Sequence, residues 1–399
     1  MENWSPGDRI QYGGIAWSEV EHRSAIYALE TCATTGWFGP NGPFSKEFSS
    51  SFAQYVGSRH CYLTNSGSSS LELAVQAMLR TGRWQHGDTI ATPALTFTTT
   101  LAVLFRNGLV PYVVDVQEGT YVIDPDLLPE KCSGYLVPHL LGNYADVSSL
   151  PNEVLVEDSC DALGTFLDGI HTGSSGAIGC FSFYGSHHIT TLGCGGALVT
   201  DDDDLFSIAS QSAQWGRLGS AQNSERYSSK LTSGTSYDPA FTWDMPGYNM
   251  QMVEMQAAMG TAQLSRIEEF NAARKYNFEF LLEGFGDLEE FFVLPKVGVA
   301  NADVVWFVFP ITVRDTAPFT RLELATHLEN LNIETRPVMS GDVRNQPAYK
   351  TANILGPEAP NTKAVEQGGL ELGCWQGLST EMLTYCIDKT HKFVSGKTG

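Results

Sequence analysis

The feature that most restricts this chain is a rhythm of short apolar runs, at residues 89–92, 110–115, 135–139, 154–158, 179–184 and 196–200, with helical or loop segments between them. Strand followed by helix, repeated, predicts a mostly parallel α/β sheet, because parallel neighbours need a crossover and a helix supplies it. Residues 68–79 follow the turn Asn65-Ser66-Gly67 and place Leu71, Ala74, Val75, Met78 and Leu79 on one helical face. A strand, a tight turn and a helix start are expected there. Upstream, residues 17–31 read as a helix and the Gly- and Pro-rich stretch 34–43 as a loop.

A second apolar face, Val253, Ala257, Gly260 and Leu264, predicts a long helix leading out of this unit. Beyond it come a helix near 267–284, an alternating strand near 304–313 and a helix near 320–331, the pattern of a smaller α+β unit. A chain of 399 residues is long enough for such a division. The reading is a large domain over residues 1–264 and a small C-terminal domain over 265–399.

Composition excludes several classes of function. Apolar residues at 42% and charged residues at 17% fit a folded globular protein rather than a disordered chain. A net charge of -21 argues against nucleic acid as a partner, since phosphate binding needs a basic face. The N-terminus is polar and no apolar run approaches a membrane span, so a soluble, cytoplasmic protein is expected. Eight cysteines without C-x-x-C or zinc spacing read as reduced thiols, with no metal site. The run Asp201–Asp204 could bind a cation, but is read as the solvated start of a helix.

Three segments can carry chemistry. The turn at residues 65–69 either cradles a phosphate, with glycine admitting close backbone approach to a helix N-terminus, or is a plain serine cap. Glu157 and Asp158 end an apolar strand, where carboxylates face the crevice of a parallel sheet; a helix cap is the alternative. His187 and His188 precede the glycine-rich Gly193-Cys194-Gly195-Gly196, and read either as an acid/base pair or as structural residues.

Taken in order, these segments resemble the sugar aminotransferase family typified by the DegT and StrS proteins, over almost the whole chain. The resemblance rests on SGSSSLELA at 66–74, EDSCDALG at 157–164, SFYGSHH at 182–188, GYNMQMVEMQAAMGTAQL at 247–264 and IETRP at 333–337. It implies the aspartate aminotransferase-like fold (PLP fold type I), with a mostly parallel seven-stranded sheet in the large domain. Family members carry the lysine that holds pyridoxal phosphate after Ser-Phe-Tyr-x-x, and this sequence has His187 there. No lysine lies between Lys131 and Lys230, so the usual covalent link has no substitute nearby.

A histidine at that position is similar to the 3-dehydratase branch, represented by the GDP-4-keto-6-deoxymannose and CDP-4-keto-6-deoxyglucose enzymes. So are the opening GDRIQYGGIAWSEVE at 7–21, Asp161 where aminotransferases usually carry glutamine, Gln214-Trp215-Gly216-Arg217, and Asn345-Gln346-Pro347. Two departures matter. Iron–sulfur members carry clustered cysteines after the Trp-Gly-Arg segment, whereas residues 218–248 hold none, so no [2Fe–2S] cluster is expected. The branch reads Gly-Glu-Gly-Gly after the histidines, and here Cys194 replaces the acid with one extra residue before Gly193. Counting from Ser182 selects His187; counting back from Gly196 selects His188. The undisturbed upstream spacing favours His187.

The resemblance further implies pyridoxamine phosphate as the working cofactor, loss of the carbon-3 hydroxyl of a 4-keto sugar, and restoration of the amine from an amino acid such as L-glutamate. His187 would be the acid/base and Asp158 the partner of the pyridine nitrogen. Phe97 would stack on the ring, Gly67, Ser68 and Ser182 would hold the phosphate, and Asp161 would add a cofactor contact. Asn249 resembles a phosphate contact from the other subunit of a homodimer. His188, Arg217, Arg336 and Arg344 are substrate candidates. An unusual sugar aminotransferase, and a non-catalytic relative that binds a sugar or partner, are the alternatives.

Overall fold

The computed structural model describes residues 4–219 and 225–398. Helix α1 (Glu19–Thr35) begins where Ser18 and Glu21 form a capping box and ends at Gly36, whose left-handed φ of 69° suits glycine. Helix α2 (Pro43–Val56) has no side-chain cap of its own. Glu254, remote in sequence and buried, accepts from the Gly42, Phe44 and Ser45 amides at 3.1, 2.9 and 3.0 Å instead.

Then follow β1 (His60–Thr64), α3 (Gly67–Arg80), β2 (Thr89–Pro93), α4 (Thr98–Arg106), β3 (Val110–Val114), β4 (Gly134–Pro138) and β5 (Leu155–Asp158). A short hairpin of β6 (Phe166–Leu167) and β7 (Ile170–His171) leads to β8 (Ile178–Ser182), β9 (Gly196–Thr200) and α5 (Asp203–Ala213). Every apolar run expected to be a strand is one, and β1 adds the seventh. The sheet order is β1-β9-β8-β5-β4-β2-β3. Only β9 runs against its neighbours, β1 and β8; the other pairings are parallel. β5 and β9 are buried at every residue, which explains their continuous apolar character. The aspartate run starts α5: Asp202 caps it, accepting from the Asp204 and Leu205 amides.

A second hairpin, β10 (Ser229–Lys230) and β11 (Ser236–Tyr237), precedes α6 (Glu254–Leu264) and α7 (Ile267–Phe285). The helix expected on the 253–264 face is α6 and the helix expected near 267–284 is α7, with Ser265 and Arg266 between them. Val253 is the cap of α6, 41% exposed, rather than part of its buried face. Gly260 is on that face because a Cβ would lie 2.3 Å from the Phe48 ring. The later strands β12 (Phe292–Val293), β13 (Val308–Val313), β14 (Arg336–Pro337) and β15 (Gly369–Gly373) form an antiparallel sheet in the order β12-β13-β15-β14. Helices α8 (Arg321–Glu329) and α9 (Pro360–Gly368) pack on it, and α10 (Thr380–Thr398) packs on α7 and α8.

The lead segment crosses to this second sheet. Ile10 pairs with Ile333, and the Trp375 indole donates to the Gln11 carbonyl at 3.0 Å. One buried apolar cluster joins Leu95, Val114 and Val137 of the first sheet region to Phe309 and Leu370 of the second. Among the described residues no helix is long and apolar enough to cross a membrane, and no cluster of His, Cys, Asp and Glu could hold a metal ion.

Candidate active site

A cleft of about 900 Å³ opens where β1, β2, β4, β5 and β8 end, the position at which parallel sheets bind ligands. Each strand end delivers a side chain: Gly67 and Ser68 after β1, Phe97 after β2, His139 after β4, Asp158 from β5 and Ser182 from β8. The second sheet and lead segment close the other side with Tyr12, Phe307, Arg336 and Glu371.

One end of the cleft is built for an anion. Ser66 caps α3, accepting from the Ser69 amide at 3.1 Å, which leaves the first helical residues, Gly67 and Ser68, bordering the cleft. Their position carries the positive end of a 14-residue helix. The fit is tight: a Cβ on Gly67 would lie 2.7 Å from Ser182 Cβ and 2.8 Å from Cys160 Sγ. Phe97, 55% exposed at the start of α4, presents an aromatic face to the same space.

At the end of β5 Asp158 is held from two sides. Its Oδ2 accepts from the Thr100 hydroxyl at 2.9 Å and its Oδ1 from the Cys160 amide at 3.2 Å. Burial nevertheless pushes its pKa above the usual carboxylate value, so a cationic partner would be strongly favoured there. Asp161 is pushed up to about 7 by burial and by the charge of Asp158. A carboxylate, an aromatic face and a glycine-lined helix start fit a protonated pyridine ring bearing a phosphate.

His187 sits in the loop between β8 and β9, with Phe307 5.0 Å away, ring centre to ring centre. Its Nδ1 is 2.7 Å from the Cys160 carbonyl oxygen. A carbonyl only accepts, so Nδ1 carries the proton and Nε2 keeps a lone pair. Burial pushes the imidazole down to about 4, against the opposing pull of that carbonyl. At neutral pH it is therefore a base in its free form. The extra residue before Gly193 is absorbed in this loop, where Leu192, Gly193 and Gly195 all take positive φ, 62°, 93° and 152°.

The structure thus brings Gly67, Ser68, Phe97, Asp158, Asp161, Ser182, His187 and Arg336 into one cleft. It does not bring in His188, Arg217 or Asn249. His188 is fully buried behind the loop, its Nε2 3.1 Å from the Val305 carbonyl, which corrects its reading as a substrate contact. Arg217 stacks on Trp215 at 4.4 Å and does not border the cleft of its own chain. Arg344 is neutralised by Asp342, with Nε–Oδ1 at 2.9 Å and Nη2–Oδ2 at 2.6 Å. Asn249 accepts from the Gln251 amide group at 3.2 Å and does not border the cleft of its own chain.

Sequence reasoning missed Tyr12, Phe307 and Glu371. Glu371 had a signal, a carboxylate between two leucines in an apolar strand; Phe307 lies in an apolar run and looked like core.

A parallel sheet with its ligand cleft at the strand ends, closed by an antiparallel sheet, is the aspartate aminotransferase-like fold, PLP fold type I. Within that class the chain belongs to the DegT/DnrJ/EryC1/StrS aminotransferase family, whose profile matches residues 20–391. It is 36% identical over 381 residues to the lipopolysaccharide biosynthesis protein RfbH of Salmonella typhimurium, covering 90% of this chain and 86% of that one. It is 34% identical over 376 residues to a dTDP-4-dehydro-2,6-dideoxy-D-glucose 3-dehydratase of Saccharopolyspora spinosa, covering 89% and 81%. Among solved structures, a mutant GDP-4-keto-6-deoxymannose-3-dehydratase with bound GDP-perosamine superposes with a TM-score of 0.83 at 25% identity, over 95% of this chain and 100% of that one.

Proposed function

We propose that this chain is a dehydratase that uses pyridoxal 5'-phosphate and its amine form to remove the carbon-3 hydroxyl of a 4-keto, nucleotide-linked 6-deoxy sugar. The observation that carries the reading is the state of His187. It is neutral, its Nδ1 proton is tied to the Cys160 carbonyl, it borders the cleft, and no lysine does so among the described residues. The names of two similar proteins, each a sugar 3-dehydratase, point the same way.

When bound, the cofactor supplies an amine that condenses with the carbon-4 carbonyl and a ring that accepts electrons. The rest falls to the chain. Gly67, Ser68 and Ser182 hold the phosphate, Phe97 covers one ring face, Asp161 adds a contact, and Asp158 keeps the pyridine nitrogen protonated. His187 takes a proton through Nε2, and the imidazolium so formed returns it to the departing hydroxyl. Over a full cycle the sugar loses one oxygen, and L-glutamate, the amine donor, becomes 2-oxoglutarate with release of ammonia. No iron–sulfur cluster has a part in this scheme.

The proposal extends to organisation. The chain divides near residue 264, and two copies form a homodimer in which Asn249 reaches the partner's phosphate site. Trp17, Tyr27, Leu29, Trp37 and Phe38, exposed on and around α1, supply an apolar surface for such contact.

The test is spectroscopic and chemical. Pyridoxal phosphate and L-glutamate are added to the protein and conversion of the aldehyde to the amine form is followed by absorbance, with borohydride treatment and mass analysis beside it. GDP-4-keto-6-deoxy-D-mannose and dTDP-4-dehydro-2,6-dideoxy-D-glucose are then supplied. A product lighter by one oxygen, with ammonia matching 2-oxoglutarate, is expected. A reduced lysine adduct, or nitrogen retained in the sugar, would overturn the reading in favour of an aminotransferase.

A further inference from the structure

The wall contributed by the second sheet holds a carboxyl that the scheme above does not use. Glu371 lies in mid-strand between Leu370 and Leu372 and is 2% exposed. Its Oε2 accepts the Tyr12 hydroxyl at 2.5 Å, while no hydrogen bond of normal geometry reaches Oε1 among the described residues. Both Glu371 and Tyr12 border the cleft. A buried carboxyl oxygen without a partner is costly, and a hydrophobic residue would pack a strand interior better, so the group fits a place where a ligand completes its bonding.

The surroundings set its charge. Tyr12 faces it from the lead segment, Asp161 from the turn after β5, and Arg336 from its register partner position on β14, where Glu334 already pairs with the guanidinium. Burial, and beyond it the charge of Asp161, pushes Glu371 up to about 8, against the Tyr12 hydroxyl, the Met339 backbone and Arg336. The carboxyl is therefore protonated at neutral pH, with Tyr12 donating to one oxygen and the acid proton available on the other.

We propose that Glu371, oriented by Tyr12, is a specificity-determining residue that hydrogen-bonds a hydroxyl of the sugar ring as an uncharged group. This rests on the sugar reading given above, and equilibrium binding separates the two. Holoenzyme is titrated with GDP-mannose, CDP-glucose and dTDP-glucose, each beside its parent nucleoside diphosphate, and the gain in affinity due to the sugar is compared among variants. Glu371→Leu should lose about tenfold or more of that gain, and Glu371→Gln should keep it within about threefold, since a site built for a hydroxyl suffers most when its partner is removed. Tyr12→Phe, a milder change that leaves the strand intact, should lose about threefold.

An unchanged gain in Glu371→Leu and Tyr12→Phe, a loss in Glu371→Gln as large as in Glu371→Leu, or no sugar-dependent gain in the wild-type chain would each overturn the inference. Failure of the dehydratase reading shows elsewhere, as retained nitrogen in the keto-sugar product.

Discussion

A single methyl group added at Gly67 tests whether the α3 start is a phosphate cradle. The backbone there is helical and not left-handed, so alanine is not excluded by φ, and in a helix it should gain about 0.5–1 kcal/mol over glycine. Packing opposes it. The new Cβ would lie 2.7 Å from Ser182 Cβ, 2.8 Å from Cys160 Sγ and 3.2 Å from Ser182 Oγ. Carbon contacts relax at about 3.5–4.0 Å, so β8 or the turn after β5 must yield by roughly 1 Å. Overpacking of this kind costs about 1–3 kcal/mol, and Ser182, one of the displaced groups, is proposed to hold the phosphate.

The net effect expected for Gly67→Ala is about 1–2 kcal/mol of lost cofactor binding, roughly five- to thirtyfold in Kd for pyridoxal phosphate. Titration by absorbance measures it, with the urea midpoint as a check on folding. Adding Cys160→Ala removes one of the two overlaps and should restore part of the loss. If Gly67→Ala binds the cofactor within twofold of wild type, or if the double variant recovers nothing, the assignment of residues 65–69 to the phosphate is wrong.

Asp158→Asn should lower keto-sugar turnover by about 10²–10³-fold, because a neutral amide cannot stabilise the protonated ring nitrogen; single-turnover kinetics in the folded variant measures it. His187→Asn should lose about 10²–10⁴-fold in turnover while binding pyridoxal phosphate within about threefold, and a larger change in binding would mean a cofactor-holding role instead. Glu157, fully buried, accepts from His139 and from the Gly173, Ser175 and Gly176 amides at 2.8, 3.0, 2.7 and 2.6 Å; Glu157→Ala should cost about 3–5 kcal/mol in urea unfolding. The pH dependence of stability has two sides. His171 and His187 are depressed to about 4, so the unfolded chain takes up protons below its ordinary histidine pKa that the folded chain refuses, and stability falls as pH drops from about 6.5 toward 4. Asp161 and Glu371 are raised to about 7 and about 8, so the folded chain keeps protons that the unfolded one has lost, and stability falls as pH rises. Between about pH 7 and 8 the second effect dominates, and in the ligand-free protein Glu371→Gln should flatten that slope in urea midpoints.

The sheet was legible because its strands are buried on both faces and read as unbroken apolar runs between helices. Asp158 and Gly67 were legible for a related reason: strand ends in a parallel sheet are where chemistry collects, so a carboxylate or glycine there stands out from sequence alone. His187 stood out against the family pattern. What escaped was set by distant parts of the chain. Glu254 caps a helix some 200 residues earlier, and nothing local in either segment signals it. Tyr12 and Glu371 are 359 positions apart and meet only because the lead segment crosses onto the second sheet.

The electrostatics of the cleft form one argument. Arg336 is paired with Glu334, His187 is neutral because of burial, and Glu371 keeps its proton at neutral pH, with Asp161 near its midpoint. That leaves Asp158 as the strongest uncompensated anion among the described residues bordering the cleft, desolvated and fixed by Thr100 and the Cys160 amide. An anion raised by desolvation gains most from a cation brought against it, which is what the proposed pairing of Asp158 with a protonated ring nitrogen would use. A cleft whose carboxyls and imidazole are driven to opposite protonation states is equipped for acid–base chemistry. Among the described residues no lysine borders the cleft, the side chain that transamination through a lysine would need.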